Sequence, residues 1–286
     1  MSGRTYLAGL IGTGIGPSLT PRLHEQEAAA EGIGYVYRTL DLDALGLVPE
    51  DVGDLVRYAG LLGFDALNIT HPCKQLVLPH LDHLDDVVEQ VGATNTVIFR
   101  DGKTWACNTD VTGFAEAMRR GLPDASLDLV VQLGAGGAGA AVGHALARSG
   151  AQALRIVDPD ASRAEALADR LAGQFADVAV TAAAPQDLPR LLGEATGLVH
   201  CTPTGMAEHP GAPLDLDLLH PGLWVADIVY RPLLTALVAG ARERGCRVLD
   251  GGGMALHQAA DTYALVTGHE PDRDRMGAHF ARLASR

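Results

Sequence analysis

Basic residues are in short supply. Lys and Arg number 22 against 35 Asp and Glu, a formal net charge of −13. Nucleic acid and anionic membranes repel such a surface, so neither is expected as the main partner. An anionic small molecule stays open, because it needs only a local pocket of donors. Long apolar runs are missing too. None approaches the roughly 18–20 residues a membrane helix needs, and the opening MSGRTYLAGLIG carries no apolar export core. Cysteine is sparse and scattered: Cys73, Cys107, Cys201 and Cys246 form no C-x-x-C pair and sit with no clustered histidines. That argues against disulfides and zinc, and for reduced thiols in a cytoplasmic protein. His80 and His83, three apart in PHLDHLDD, are expected on one solvated helix face, and no metal site is expected. Short repeats and low-complexity segments are absent.

What is present is an ordinary globular composition, 47% hydrophobic and 20% charged over 286 residues, long enough for two domains with a core each. Short β-like runs alternate with helical stretches. YLAGLIG, YVYRTLDL and ALNIT read as strands. Residues 21–31, opened by a proline, and 49–62 read as helices, and 74–91 as a helix interrupted at Pro79. TNTVIFRDGKTWACNTD reads as a hairpin about Asp101-Gly102. A helix over 111–120 and a turn-rich connector, GLPDASLD, lead to a second series: LVVQL, ALRIV, GLVHCT, LWVADIV and RVLD as strands, with helices over 138–149 and 162–172 and at the end of the chain. Strands alternating with helices predict parallel sheets with right-handed crossovers.

The chemistry is most legible in LVVQLGAGGAGAAVGHALARSGAQALRIVDPD. Gly134, Gly136 and Gly139 fit G-x-G-x-x-G between an apolar strand and a helix, and a second strand ends at Asp158. That is the βαβ context the motif requires in a Rossmann dinucleotide-binding domain. Gly134 permits a tight turn, Gly136 admits a pyrophosphate, and Gly139 allows close helix packing. With Ala135, Gly137 and Ala138 they form a loop whose amides and helix dipole face the phosphates. Asp158 can accept hydrogen bonds from ribose hydroxyls and would repel a 2′-phosphate, which favours NAD over NADP; capping the next turn is its structural alternative. Arg163, close by in sequence, leaves NADP open.

Polar clusters in the first half fall at or after strand ends, where α/β sheets present ligands. They are Pro17-Ser18-Leu19-Thr20-Pro21, then Asn68-Ile69-Thr70-His71-Pro72-Cys73-Lys74, then Asn95-Thr96 with Asn108-Thr109-Asp110. Hydroxyls, amides, a lysine and a carboxylate suit a polyhydroxylated acid. Helix capping by Ser18, Thr20 and Asp110, a turn bond from Asn68 and a solvated Lys74 are the plain alternatives.

These residues resemble the shikimate/quinate dehydrogenases along essentially the whole chain. Ser18-Leu19-Thr20-Pro21 with His24 is similar to the family's S-x-[ST]-P-x-x-H motif, and GFDALNITHPCK to G-F-x-G-x-N-[VI]-T-x-P-x-K. GATNTV, NTDVTGF, the glycine-rich loop, CTPTGM, DIVYRPLLTAL and GGGMALHQAA are similar to six further motifs, all in the family's order. The resemblance implies that Lys74 is catalytic with Asp110 as its partner, and that Ser18 and Thr20 hold a carboxylate. It implies that Asn68, Thr70, Asn95, Asp110 and Gln258 bind ring hydroxyls and Tyr230 lines the substrate side. Thr202, Pro203, Val229 and Gly253 would lie near the nicotinamide. Thr20 and Asp158 resemble the NAD-dependent quinate/shikimate branch. Ala66, His71 and Cys73 depart from the commonest pattern.

The expectation is therefore two α/β domains: a substrate-binding and catalytic domain over 1–112, completed by C-terminal helices over 255–286, and a Rossmann NAD-binding domain over 113–254. The expected activity is NAD-dependent oxidation of a ring hydroxyl of quinate or shikimate, with Lys74 acting as base or as electrostatic stabiliser. An NADP-dependent biosynthetic shikimate dehydrogenase is the near alternative. A related amino-acid or folate-intermediate dehydrogenase and a non-catalytic sensor are remoter ones. A homodimer stays open.

Overall fold

The computed structural model describes residues 4–285. The chain divides into two compact units. Asp110–His257 form one; the residues through Thr109, together with those from Gln258 on, form the other. These boundaries stand three residues from the expected 112/113 and 254/255 junctions.

The first unit begins with β1 (Thr5–Gly12), α1 (Thr20–Ala30), β2 (Gly34–Asp41) and the single turn α2 (Leu42–Leu45). A 3₁₀ turn at Pro49–Asp51 leads into α3 (Val52–Leu61), β3 (Ala66–Ile69) and the short α4 (Cys73–Leu76). Then come β4 (His83–Leu84), α5 (Asp86–Val91), β5 (Thr96–Arg100) and β6 (Lys103–Cys107). The sheet order is β2-β1-β3-β5-β6-β4. It is mixed, not parallel throughout: β1 pairs parallel with β2 and β3, whereas β5 runs antiparallel to β3 and β6. The tight turn at Asp101 (φ +52°) and Gly102 (φ +71°) accounts for the antiparallel β5–β6 pair, and β5 enters the sheet antiparallel to β3 as well. Ile11, Leu67 and Ile69 on the strands meet Val52, Val56 and Ala59 on the helical side in a buried core.

The helix expected over 74–91 is not continuous. It breaks into α4, a 3₁₀ turn at Leu78–His80, β4 and α5. Pro79 sits inside the 3₁₀ turn, where its missing N–H ends the α-helical ladder. His83 therefore does not share a helix face with His80. It lies on β4, and its ring stacks on Trp105 of β6 with centroids 4.0 Å apart.

The second unit opens with α6 (Thr109–Gly121), whose first residue closes the first unit, and β7 (Val130–Leu133). It continues through α7 (Gly137–Arg148), β8 (Ala153–Val157), α8 (Ala161–Gln174), β9 (Ala179–Ala183), α9 (Leu188–Glu194) and β10 (Gly197–His200). It ends with β11 (Trp224–Asp227), α10 (Ala236–Glu243) and β12 (Arg247–Leu249). All pairs are parallel, in the order β12-β11-β10-β7-β8-β9. That is the dinucleotide-binding order, in which the chain walks outward from β7 first one way and then the other. The central strands β7, β10 and β11 are buried on both faces, and Val131, Leu133, Leu198 and Val225 meet Leu191 and Leu192 of α9 in the core.

The return to the first unit occurs inside α11 (Gly252–Thr267), not before it, and α12 (Arg273–Ala284) follows. Glu27 of α1, fully buried, accepts from Arg275 Nη2 at 2.6 Å and from the Asp272 N–H at 2.7 Å, which ties α12 to the N-terminal helix. Tyr6 on β1 donates to the Thr267 carbonyl at 3.0 Å. The four cysteines are not bonded to one another. Among the described residues no helix is long and apolar enough to cross a membrane, and no three His, Cys, Asp or Glu side chains are grouped to hold a metal.

Candidate active site

In the second unit the glycine-rich loop leaves the carboxyl end of β7. Gly134 has φ +101°, and a Cβ there would come within 2.8 Å of the Cys201 carbonyl oxygen, so only glycine fits. A Cβ on Gly139 would strike the Gly134 carbonyl. Gly136 is the N-cap of α7 and has no side chain to occupy the free amides of the first turn, formed by Gly137, Ala138 and Gly139. A Cβ at Gly136 would stand 3.3 Å from the Arg163 guanidinium. A bare helix N-terminus with an arginine beside it fits the pyrophosphate of a dinucleotide.

Two side chains hold this loop. Gln132, fully buried on β7, donates to the carbonyls of Gly134 and Gly139, each at 2.9 Å. Asp158 follows β8 and is 8% exposed; its Oδ2 accepts from the Ala135 N–H at 2.8 Å and its Oδ1 from the Asp160 N–H at 3.0 Å. Through the Asp160 N–H, Asp158 does cap the turn that follows it, but it is not the cap of α8. Asp160 caps α8, accepting from the Ser162 N–H. Sequence reasoning missed Gln132, since a glutamine inside LVVQL looks like an edge residue; its signal was a polar residue two positions before the first glycine.

Thr202 follows β10, and its methyl would meet a Gly134 Cβ at 3.0 Å. Pro203 lies beside it, exposed. Val229 is buried and gives its N–H to Asp227 at 3.0 Å; its carbonyl lies against Gly251. Gly253, on α11, faces Ala117 of α6, where a Cβ would come to 3.0 Å. Tyr230 is half-buried after β11.

In the first unit a buried polar network gathers residues from β2, β3, β5 and α11. Asn68 Oδ1 accepts from the Tyr37 hydroxyl at 2.6 Å. Its Nδ2 donates to the Asn95 carbonyl and to Thr96 Oγ1, both at 3.1 Å. Asn95 Nδ2 donates to Thr109 Oγ1 at 2.8 Å and reaches Gln258 Oε1 at 3.5 Å, while its Oδ1 accepts the Thr109 N–H at 2.8 Å. Thr262 Oγ1 joins Thr96 at 3.2 Å and Thr109 at 3.0 Å. Asn68 is therefore not bonded in a turn; it spends both amide protons inside the sheet. Tyr37 and Thr262 were not foreseen. Thr262 lies four residues after Gln258, one helical turn along the same face of α11, which was its signal.

The remaining candidates lie on three other segments. Ser18 and Thr20 are half-buried before and at the start of α1. Neither caps that helix: its N-cap is Leu19 without a side-chain bond, and Ser18 Oγ accepts the Thr20 N–H at 3.3 Å. The loop is shaped by Asp41, another unforeseen residue, whose carboxylate accepts from the N–H groups of Gly14, Ile15 and Gly16 at 2.9–3.2 Å. Thr70 follows β3, and its backbone bonds Ile11 and Cys73. Lys74 is half-buried on α4, and its carbonyl accepts the Thr94 N–H at 2.9 Å. Burial pushes the neighbouring Cys73 thiol up to about 11, so it is a protonated packing residue. Asp110, 5% exposed, stands in the first turn of α6 directly after Thr109.

Comparison with known proteins agrees with this layout. The family profile "Shikimate dehydrogenase substrate binding domain" matches residues 10–97, and "Saccharopine dehydrogenase NADP binding domain" matches 130–208. The shikimate dehydrogenase (NADP(+)) of Streptomyces avermitilis is 60% identical, covering 99% of this chain and 98% of that protein. The quinate/shikimate dehydrogenase (NAD(+)) of Corynebacterium glutamicum strain R is 46% identical, covering 98% and 99%. Among solved structures, quinate dehydrogenase from Corynebacterium glutamicum in complex with NAD has a TM-score of 0.90 and 45% identity over 97% of this chain and 99% of that one. Shikimate 5-dehydrogenase from Listeria monocytogenes in complex with shikimate and NAD has a TM-score of 0.85 and 30% identity over 98% and 97%. Full-length identity of this order, on a fold whose second unit carries the dinucleotide loop and whose first carries the buried amide network, makes the chain a member of the shikimate/quinate dehydrogenase family of oxidoreductases.

Proposed function

We propose that the chain oxidises, reversibly, a ring hydroxyl of quinate or shikimate to the 3-dehydro acid, with NAD as hydride acceptor, in the cytoplasm. The observation that carries the substrate reading is the Asn68–Asn95–Thr96–Thr109–Thr262 network, which ends at half-buried Gln258. A preorganised set of amides and hydroxyls with few free torsions suits a ring that carries several hydroxyls. Ser18 and Thr20 hold the carboxylate. Thr70 and Gln258 bind ring hydroxyls alongside Asn68 and Asn95, and Tyr230 lines the substrate side. Lys74 and Asp110 handle the proton that leaves as the carbinol becomes a ketone. Bound NAD supplies the hydride acceptor. Gly134 to Gly139 take its pyrophosphate. Asp158, anchored on two backbone amides, takes the ribose hydroxyls and opposes a 2′-phosphate. Thr202, Pro203, Val229 and Gly253 border the nicotinamide.

NADP as acceptor is the second reading. The Arg163 guanidinium beside Gly136 is a phosphate-binding group, and the Streptomyces relative is named for NADP(+). Initial rates of cofactor reduction at alkaline pH, with quinate and shikimate each paired with NAD and NADP, decide between them. Activity with NAD and either acid supports the proposal. Activity with NADP alone overturns the role given to Asp158. No activity in any pair overturns the substrate assignment.

A further inference from the structure

A second buried polar cluster lies in the dinucleotide-binding unit, centred on a His–Asp pair that the proposed chemistry does not use. His200 ends β10 and Asp227 ends β11, directly across the ladder from each other; the pair is 0% and 2% exposed. Asp227 receives three donors: His200 Nδ1 at 2.9 Å, the Thr235 hydroxyl at 2.6 Å and the Val229 N–H at 3.0 Å. The Thr235 proton must point to Asp227, because the same hydroxyl accepts from the Val238 N–H at 3.1 Å. The Asp227 carboxylate only accepts, so Nδ1 of His200 carries a proton, and in the neutral ring Nε2 is then the acceptor. Nε2 lies 2.5 Å from Thr202 Oγ1. The Thr202 hydroxyl gives its proton to His200. Its oxygen accepts the Thr204 N–H at 3.3 Å and keeps one lone pair.

The place of this hydroxyl in the fold matters. Strand succession reverses between β7 and β10, and ligands of doubly wound sheets bind in the crevice at that switch point. Gly134 leaves β7 there, Thr202 leaves β10, and the Thr202 methyl lies against Gly134.

We infer that His200, locked by Asp227, is a positioning residue that makes the Thr202 hydroxyl a fixed acceptor at the switch point, shaped for an amide N–H donor. In a dinucleotide the group of that chemistry is the nicotinamide carboxamide, so the inference rests on the dinucleotide reading above. A fixed acceptor selects the carboxamide rotamer that turns its NH₂ inward and thereby sets which way the ring lies. Neither His200 nor Asp227 touches the ligand.

Binding separates this role from a structural one. NADH carries the carboxamide, and ADP-ribose is the same ligand without the nicotinamide. Thr202→Val keeps the shape and deletes the hydroxyl; His200→Asn keeps a donor for Asp227 but no longer reaches Thr202. Fluorescence and calorimetric titrations of the intact chain should show NADH weakened about fivefold in both variants, with ADP-ribose unchanged, as the loss of one neutral hydrogen bond requires. Thr202→Ser should restore NADH binding. Equal weakening of both ligands, or no change in either, overturns the inference even if His200→Asn folds poorly, because Thr202→Val leaves the buried pair in place. A wild-type chain that binds neither ligand overturns the dinucleotide reading, and this inference with it.

Discussion

The hydroxyls of Thr109 and Thr262 lie 3.0 Å apart although 153 positions separate them in the chain. Thr262 also meets Thr96 at 3.2 Å, so one hydroxyl of α11 joins β5 to the start of α6. Removing it strands buried oxygens. Thr262→Val should lower unfolding free energy by about 1–3 kcal/mol, read as a lower urea midpoint with an unchanged slope. It should also raise KM for the acid substrate, since Asn95 and Gln258 lose part of their support. An unchanged midpoint would show that the network bears no stability.

His24 should contribute to acid sensitivity. It is fully buried against Tyr35, Tyr37 and Tyr263, with ring centroids at 5.7, 5.2 and 6.1 Å, and its Nε2 has no hydrogen-bond partner among the described residues. Burial pulls its pKa from 6.5 down to about 3. Between those values the unfolded chain takes up a proton that the folded chain refuses, so the contribution is full above pH 6.5 and is lost as pH falls toward 3. Denaturant titrations at pH 7, 5.5 and 4 should show stability dropping by up to about 1.4 kcal/mol per pH unit from this group. His24→Phe should flatten that slope; an equal slope in the variant would assign it to other groups.

Lys74→Ala should reduce kcat by orders of magnitude while the Kd for NADH stays within about twofold. Loss of a proton-handling group lowers the chemical step, and general acid–base catalysis contributes on the order of 10²–10⁴. Near wild-type turnover would remove Lys74 from the reaction.

Asp158 combines two duties, loop anchoring and cofactor choice. Asp158→Ser should shift the ratio of kcat/KM for NAD over NADP toward NADP by tenfold or more. It should also cost about 1–2 kcal/mol of stability, because the Ala135 and Asp160 amides lose a strong acceptor. A ratio that does not move would leave Asp158 an anchor alone.

The second unit was the more legible in sequence because its inner strands are largely buried and read as apolar runs: LVVQL, ALRIV and LWVADIV fall on β7, β8 and β11. β9 escaped notice because AVTAA holds only two β-branched residues in an alanine-rich stretch. The first unit hid more. A turn at Asp101-Gly102 declares a hairpin, but nothing local says that β5 will run against β3. The interruption at Pro79 was legible in the 74–91 stretch, but the strand after it was not, because β4 is defined by its pairing with β6 at His83–Trp105, a tertiary contact. Ser18, Asn68 and Asn95 were visible as polar residues at strand ends. Their supports, Tyr37, Asp41 and Thr262, sit on other elements and were not.

Chain connectivity has a consequence for synthesis. The ribosome delivers Asp110–His257 as one uninterrupted stretch, so that unit can fold as soon as it emerges. The unit begun first must wait, because its polar interior is completed by Thr262, its first strand by the Thr267 carbonyl that receives Tyr6, and buried Glu27 by Arg275. The earliest residues to be made are thus the last to be finished. Nascent chains released before α11 is complete should expose the unfinished polar interior at Thr96 and Thr109 and the unpaired Glu27 carboxylate to the quality-control machinery, whereas the dinucleotide-binding half should already resist proteolysis.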